Sequence, residues 1–268
     1  MKREHTSART LAVGVVVPVH NEQELLGSAL ASLTEAFDEL SHGSLLLRAA
    51  VVMDACADVS EEIASEWRVA LVRRCHPLAV TMTTSTAHNV GRARALGCAV
   101  LLNRWSRIDP ARIWLATTDA DSRVPRDWLT TQLAQHEMGV DHWYGRVSVA
   151  DWSEYSDDVR SSWQRKYENE SRPIHGANLG FNAATYLAAG GFEPLDTGED
   201  RALHRALVTL GAPSHYDSAV RVVTSARRRA RAPMGFAHAL DVIRCAPVGA
   251  PKYGPKKRLG DGFAFHGN

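Results

Sequence analysis

Short apolar runs that alternate with helix-like segments constrain the fold of this chain more than any other feature of its sequence. The runs are Leu11–Val17, Ala49–Met53, Val69–Val72 and Ile113–Ala116. Each is shorter than the roughly 18 residues that suggest a membrane span, and each has the length of a buried β-strand. Because buried strands that alternate with helices form parallel sheets, the sequence predicts a doubly wound α/β fold.

The segments between these runs carry signals for helix starts. Asn21 with Glu24, and Asp58 with Glu61, have the spacing of capping boxes. The polar segment 81–88 is rich in Thr and Ser and is expected to be a loop. The expected helices are 22–40, 58–67, 89–102, Ala183–Ala189, Arg201–Leu210 and Pro233–Val242, and the expected later strands are His142–Val149 and Val220–Val223.

Composition and charge exclude several classes of protein. Hydrophobic residues make up 45% of the chain, which is enough for a sizeable core. Lys and Arg number 31 against 30 Asp and Glu, so no global field favours nucleic acid as a partner. The apolar runs predict no integral membrane segment, although the late basic clusters allow weak contact with anionic lipid.

The four cysteines are scattered without a CxxC pair. This spacing argues against a zinc site or a disulfide scaffold and is typical of a reducing cytoplasm, where we expect the protein to act. The first apolar run is followed by neither GxGxxG nor GxxxxGK[ST], so a dinucleotide fold and a P-loop are both disfavoured.

Two carboxylates follow the apolar run Ile113–Ala116, at Asp119 and Asp121. In an extended segment alternate side chains point the same way, so both can face one cation. The carboxyl ends of parallel strands form the edge at which such sheets bind ligands. The sequence therefore predicts a Mn or Mg site at Asp121 and Asp119; the alternative is that Asp121 only caps the next helix.

Two other clusters have open interpretations. Arg92 and Arg94, near the start of a predicted helix, are candidates for a phosphate contact or for a solvated helix face. Val159, Trp163 and Tyr167 lie four residues apart, on one face of a helix. We expect this aromatic stripe to pack in the core rather than to form a ligand platform.

Seven short motifs occur in an order that resembles glycosyltransferase family 2. This resemblance spans about Val13 to Gly211, and each motif alone is weak whereas the seven together are strong. The motifs are PVHNE at Pro18–Glu22, DACAD at Asp54–Asp58, NVGRARA at Asn89–Ala95, DAD at Asp119–Asp121, GANLGF at Gly176–Phe181, GGF at Gly190–Phe192 and GED at Gly198–Asp200.

The resemblance implies a GT-A fold: a Rossmann-like, mostly parallel central sheet flanked by helices in a single domain. We expect this domain to span residues 1–246, and the Pro, Gly and Lys content of residues 247–268 predicts a basic, flexible C-terminal tail. It also implies roles for individual residues. Those for the nucleotide are Pro18, Val19, His20, Asn21, Glu22, Asp54, Asn89, Gly91, Arg92, Asp119 and Ala120; those for the metal are Asp121 and Asp119; and the general base is Asp200, with Glu199 next in line. Further candidates for contacts with the diphosphate or acceptor are Asn178, Arg227 and His215, and His215 is also a candidate for a third metal ligand. The alternatives are a turn residue for Asn178, a solvated basic turn for Arg227 and a surface position for His215.

The activity that the resemblance implies is transfer of a sugar from a nucleoside-diphosphate sugar to a hydroxyl of a small or soluble acceptor, with inversion and with Mn or Mg. Two departures from the family pattern matter. Ala55, Cys56 and Ala57 replace polar residues of the second motif, and the QxxRW motif of processive synthases is absent. The alternatives are a retaining transferase, a sugar nucleotidyltransferase and a non-catalytic nucleotide-sugar-binding protein. Asp200 has its own alternative role, as part of a capping box with Thr197.

Overall fold

The computed structural model describes residues 10–40, 43–149 and 151–225. Strands and helices alternate through most of this part of the chain. The strands are β1 Ala12–Val19, β2 Leu46–Asp54, β3 Ala79–Ser85, β4 Ile113–Thr117, β5 His142–Val149, β6 Leu179–Asn182 and β7 Ser214–Thr224. The helices are α1 Leu26–Asp38, α2 Ser60–Arg73, α3 Val90–Arg104, α4 Trp128–Glu137, α5 Asp157–Glu168, α6 Ala183–Ala188 and α7 Glu199–Thr209.

The strands form one seven-stranded sheet in the order β3-β2-β1-β4-β6-β5-β7. Strands β3, β2, β1 and β4 are parallel neighbours, and β7 is parallel to β5. Only β6, among the described strands, runs against its neighbours β4 and β5. The carboxyl ends of β1, β2, β3 and β4 therefore share one edge, and the predicted mostly parallel sheet is confirmed.

Helices cover both faces of the sheet and divide the core into two layers. On one face, α1, α2 and α4 pack against side chains such as Val15 and Trp114. On the other face, α3, α6 and α7 pack against side chains such as Val16 and Leu115. Strands β1 and β4 lie in the middle of the sheet and are buried almost throughout, as their unbroken apolar sequences predict. Within the described residues, no helix is both long enough and apolar enough to cross a membrane.

The predicted strand at Val69–Val72 is wrong, because helix α2 continues through it to Arg73. Val72 is 73% exposed, so the apolar run does not mark a buried strand. The third strand is β3, most of which lies in the segment predicted to be a polar loop. Its Thr side chains suit this position because β3 is an edge strand, whose side chains are only partly buried, and because Thr is β-branched.

The predicted capping box at Asn21 is also wrong. Helix α1 begins at Leu26 rather than at residue 22. The Asn21 backbone is left-handed, with φ of 53°, and its Oδ1 accepts a hydrogen bond from the Ala57 amide at 2.7 Å. Its side chain thus joins two strand ends instead of capping a helix. Asp58 likewise accepts from the amides of Ser60 and Gln23, just before α2 begins.

Candidate active site

Three adjacent strands end in turns that contain a non-glycine residue with positive φ. These residues are Asn21 after β1, Ala55 after β2 and His88 after β3, with φ of 53°, 50° and 47°. A side chain in this region costs on the order of 1 kcal/mol or more, and the surrounding structure must compensate for it. Such strain is concentrated at ligand-binding sites. The strained turns therefore indicate a ligand-binding site at the carboxyl edge of the sheet.

Hydrogen bonds hold the first two of these turns together. His20 Nδ1 donates to the carbonyl of Asp54 at 2.6 Å. This leaves Nε2 to accept from the side-chain amide nitrogen, Nδ2, of Asn21 at 3.3 Å. The rings of His20 and His88 meet edge to face with centroids 5.4 Å apart. The predicted nucleotide residues His20, Asn21 and Asp54 thus lie together at this edge.

Asp54 organises the start of α3. Its side chain is buried, and its two oxygens accept from the backbone amides of His88 at 3.1 Å and Asn89 at 2.7 Å. Asn89 in turn caps α3 by accepting from the Arg92 amide at 2.8 Å, as its position predicts. Asp54 therefore fixes the backbone at the site.

Gly91 is close to polypeptide rather than to a ligand-binding cleft. A Cβ added there would lie 2.2 Å from the carbonyl oxygen of Glu193 and 2.8 Å from the Leu195 amide nitrogen. The Gly91 amide donates to the Leu195 carbonyl at 3.2 Å. The prediction that Gly91 borders the nucleotide is therefore corrected: the glycine lets the segment after β6 and α6 cross the start of α3.

The PVHNE motif also has members that face inward. Val19 is 1% exposed and lies in the core, and the buried Glu22 accepts backbone hydrogen bonds from Leu25 and Leu26 through its carbonyl. The Glu22 amide donates to the Ser60 hydroxyl at 2.8 Å. The side chain of Val19 and the backbone of Glu22 thus have structural roles, while the assignment of the two residues to the nucleotide stays a prediction. Pro18 is partly exposed at the same edge.

The DAD motif follows β4, as predicted, and one buried arginine contacts it. Arg94 Nη2 donates to Asp119 Oδ1 at 2.6 Å, although the arginine is only 3% exposed. Ala120 is buried. Asp121 accepts from the hydroxyls of Ser122 at 3.1 Å and Ser225 at 2.7 Å. Arg94 was one of two candidates for a phosphate contact, and it instead binds the first carboxylate of the motif.

Arg94 also binds the GED motif. Its Nε lies 3.2 Å from Glu199 Oε1, and Glu199 is almost as deeply buried as Arg94. Burial lowers the pKa of Arg94, but the carboxylates of Asp119 and Glu199 more than offset this, so its pKa is raised. Glu199 therefore points into the protein as an ion-pair partner, which corrects its assignment as a reserve catalytic base.

Asp200, the next residue, is partly exposed and is held by backbone amides. Its Oδ2 accepts from the Gly176 amide at 2.9 Å and its Oδ1 from the Arg201 amide at 2.7 Å. The carbonyl of the same Gly176 accepts from the Thr117 hydroxyl at the end of β4. Asp200 is thus linked through a single residue, Gly176, to the strand that leads into the DAD motif. Sequence spacing gives no sign of this link.

The remaining candidates for contacts with the diphosphate or acceptor were Asn178, Arg227 and His215. Asn178 is fully buried; its Nδ2 donates to the carbonyls of Arg146 and Val220, and its Oδ1 accepts from Trp128. These bonds leave no polar atom of its side chain for a sugar. Arg227 lies outside the described residues, as do the predicted helix Pro233–Val242 and the basic tail.

His215 is too far from the DAD motif to share its metal. It pairs with Trp143 near the start of β7, whereas Thr224 pairs with Val149 at the strand's other end, beside the Ser225 that contacts Asp121. The β5 residues of the two pairs, Trp143 and Val149, are six positions apart, which is about 20 Å of strand. The proposal of His215 as a third ligand is therefore corrected.

The side chains at the DAD motif fit a metal ion that substrate phosphates help to bind better than an ion held by the protein alone. Among the described residues, no group of three or more His, Cys, Asp or Glu side chains is arranged to hold a metal. Mg and Mn take oxygen ligands and often use one or two carboxylates, with substrate phosphates completing the shell.

His175, next to the Gly176 that binds Asp200, should make stability depend on pH. Burial lowers its pKa to about 4, and the Asp200 carboxylate opposes the shift. Its ordinary pKa is about 6.5, so its contribution is complete above pH 6.5 and is lost as the pH falls toward 4. Full shielding would correspond to about 3 kcal/mol; since the side chain is partly exposed, we expect ~1–2 kcal/mol.

Urea unfolding at pH 7 and pH 5 would measure this effect. The variant His175→Gln keeps an acceptor for the Tyr167 hydroxyl, which lies 2.9 Å from His175 Nε2. Its free energy of unfolding should fall less between the two pH values than that of the wild type. An equal fall in both proteins would show that His175 does not cause the loss.

Comparisons with known proteins identify the family and the fold of the chain. The family model described as glycosyl transferase family 2 matches residues 14–196. The mannosyltransferase PcManGT from Pyrobaculum calidifontis, solved with GDP-Man and Mn2+, is 22% identical with a TM-score of 0.59, over 89% of this chain and 61% of that one. TarS 1-349 from S. aureus is 14% identical with a TM-score of 0.55, over 81% and 61%.

For a third solved structure, the match covers a larger share of that protein's chain. Glucosyl-3-phosphoglycerate synthase from Mycobacterium tuberculosis, in complex with Mg2+ and UDP, is 14% identical with a TM-score of 0.51, over 89% of this chain and 80% of that one. No curated protein matches the sequence significantly. The structural likenesses confirm the GT-A fold. Since the family model covers more than half of the 268 residues, this chain belongs to glycosyl transferase family 2.

Proposed function

We propose that the protein transfers a sugar from a nucleoside-diphosphate sugar to a hydroxyl group of a small or soluble acceptor. The observation that carries this proposal is the link between the DAD and GED motifs through Arg94. One buried cation holds Asp119 and Glu199, so two carboxylates with different tasks, Asp121 and Asp200, are fixed at the same edge of the sheet.

The nucleotide would lie over the strained turns after β1, β2 and β3. His20, Asn21 and Arg92 border this edge, and Arg92 is exposed on the first turn of α3. The positive end of the α3 macrodipole favours a negatively charged group nearby. The neighbours solved with GDP-Man or with UDP support a nucleoside diphosphate as the donor's leaving group.

Asp121, with Asp119, would hold a divalent cation against the diphosphate. A bound Mn or Mg ion would supply Lewis-acid neutralisation of the charge that develops on the leaving group. The neighbours solved with Mn2+ or Mg2+ support this assignment. The hydroxyls of Ser122 and Ser225 orient the Asp121 carboxylate.

Asp200 would take the proton of the acceptor. The acceptor oxygen forms a bond to the anomeric carbon while the bond from that carbon to the diphosphate oxygen breaks. The hydroxyl proton passes to Asp200, and the diphosphate leaves with the electron pair. Because the base and the leaving group belong to separate motifs, attack from the face opposite the diphosphate is feasible, and we propose inversion at the anomeric carbon. The free thiols at Cys56, Cys75 and Cys98 suit action in a reducing cytoplasm.

Binding of GDP and UDP, measured by calorimetry with Mn2+ and then with EDTA, tests the metal role. EDTA should weaken binding at least about tenfold, which is 1.4 kcal/mol. Asp121→Asn should weaken Mn2+-dependent binding similarly, because it removes the charged ligand. Asp127→Asn, an exposed carboxylate just beyond the motif, is the matched control. Undiminished affinity in EDTA would contradict the metal role.

Turnover and stereochemistry separate the remaining alternatives. Hydrolysis of a nucleotide sugar in the absence of acceptor would distinguish an enzyme from a binding protein. The anomeric proton coupling of the product, read by NMR, would distinguish inversion from retention. A retained configuration would exclude a single displacement with Asp200 as base.

A further inference from the structure

A small cavity with aromatic walls lies between the end of β5, helix α5 and strand β7. Its volume is about 110 Å³. We call it the aromatic cavity. The residues that matter for its chemistry are Trp152, Trp163, Gln164, Tyr167, Glu168 and Arg221. Trp163 and Tyr167 belong to the stripe that the sequence predicted to be core; both are buried, and both also line this space.

Two hydrogen bonds, joined through the backbone of His175 and Gly176, link the aromatic cavity to Asp200. Tyr167 forms one wall, and its hydroxyl lies 2.9 Å from His175 Nε2. Because that hydroxyl already accepts from the Val147 amide at 2.8 Å, its proton is available for His175. The next residue, Gly176, donates its amide to Asp200. The cavity is thus linked to the proposed base, Asp200, through two adjacent residues, His175 and Gly176.

Contacts with the sheet make the cavity preformed. The buried Arg146 of β5 donates to the carbonyls of Tyr167 at 3.0 Å and Glu170 at 2.6 Å, which anchors the end of α5. The rings of Trp163 and Tyr167 stack with centroids 4.6 Å apart. The Trp152 ring is tilted against Trp163 at 5.4 Å and is only partly buried. Trp152 is therefore the aromatic wall that a ligand can reach.

The chemistry of the lining favours a ring with one apolar face and several hydroxyls. Sites for small molecules combine aromatic walls with a few polar groups that fix orientation. The indoles supply apolar faces, while Gln164, Glu168 and Arg221 supply hydrogen-bond donors and acceptors at the rim. An engineered cavity of about 150 Å³ accommodates benzene, so this space of about 110 Å³, which is open beside Glu168 and Arg221, can take part of one six-membered ring.

We propose that the aromatic cavity is an acceptor subsite that binds a pyranose ring. This inference rests on the proposed function and narrows it: the acceptor is a glycoside, one of whose sugar rings occupies the cavity while another hydroxyl reaches Asp200. Binding energy from such a remote ring can be used to position the reacting hydroxyl.

Saturation-transfer NMR with methyl pyranosides of glucose, galactose, mannose and N-acetylglucosamine tests the proposal directly. At least one should receive saturation from wild-type protein. Trp152→Ala should weaken that binding about three- to tenfold, the range measured for aromatic contacts, and Gln164→Leu should also weaken it. Trp67→Ala removes a partly buried tryptophan from α2 on a different part of the sheet and should leave it unchanged.

Benzyl alcohol serves as the apolar-ring probe in the same experiment. If benzyl alcohol binds but no pyranoside does, the inference that the cavity binds a sugar would be wrong. Failure of every probe, or equal binding in wild type and Trp152→Ala, would overturn the subsite. Thermal unfolding confirms that each variant is folded.

A parallel titration with GDP and UDP in the presence of Mn2+ keeps the two levels of proposal apart. Trp152→Ala should retain the donor affinity of the wild type, because its ring lies at the acceptor end. Loss of nucleotide binding in the wild type would refute the proposed function, whatever the sugars do. Intact nucleotide binding without pyranoside binding would refute the subsite alone.

Discussion

Asp200→Asn should lower the rate of sugar transfer by about two to four orders of magnitude, the usual cost of losing a general base. The substitution keeps the size of the side chain but removes its basic oxygen. One oxygen remains to accept a backbone amide, from either Gly176 or Arg201. Donor affinity should change little, because Asp200 is held on the acceptor side by Gly176 rather than at the DAD motif.

Transfer rate, donor dissociation constant and melting temperature, measured together, separate catalysis from folding. Glu62→Gln is the matched control, since Glu62 is an exposed carboxylate in the first turn of another helix, α2. A folded Asn variant with nearly wild-type turnover would show that Asp200 only orients Gly176 and the start of α7. The base would then have to lie outside the GED motif, because Glu199 is already paired with Arg94.

Arg94→Met should destabilise the fold by about 3–5 kcal/mol, the typical cost of leaving a buried charge without its partner. The variant leaves Glu199 buried at 5% exposure and removes the cation beside Asp119. Arg94→Lys should recover only part of this loss, because an ammonium group cannot reproduce the planar fork that reaches two carboxylates. Urea unfolding measures the differences.

Arg92 provides the matched control for Arg94. It lies two residues earlier on α3 but is exposed, so Arg92→Met should change stability by no more than about 0.5 kcal/mol. The double variant Arg94→Met with Glu199→Gln should be more stable than Arg94→Met alone, because it removes the stranded charge. Equal stability of Arg94→Met and Arg92→Met would contradict the ion-pair link between the DAD and GED motifs.

Sequence patterns predicted the central elements of the fold well and the peripheral ones poorly. Strands β1 and β4 lie in the middle of the sheet, so burial on both faces leaves an unbroken apolar signature. Edge strand β3 is only partly buried, and its Thr-rich sequence resembles a loop. Helix α2 ends in the apolar run Val69–Val72, which resembles a strand in sequence, although Val69 and Val72 are exposed and Leu71 is buried. The helix continues through the run because no residue before Pro77 breaks it.

The candidate site divides along similar lines. The DAD and GED motifs are short local patterns, and the sequence alone was sufficient to single them out. The role of Arg94 depends on contacts with residues 25 and 105 positions further along the chain, so no local pattern reports it. The left-handed turn at Ala55 was equally hidden, because alanine carries no preference for that conformation.

The contact between Asn89 and the segment that follows α6 has a consequence for the order in which the protein folds. Asn89 Nδ2 donates to the carbonyl of Pro194 and to Asp196 Oδ1, across 105 and 107 residues. At 5–20 residues per second, a ribosome needs about 5–20 s to make that intervening chain. Throughout this interval the beginning of α3 lacks its contacts with the segment that follows α6 and crosses α3 at Gly91. The start of α3 therefore gains these contacts only after residues 194–196 have been made, and contacts of such long range form slowly.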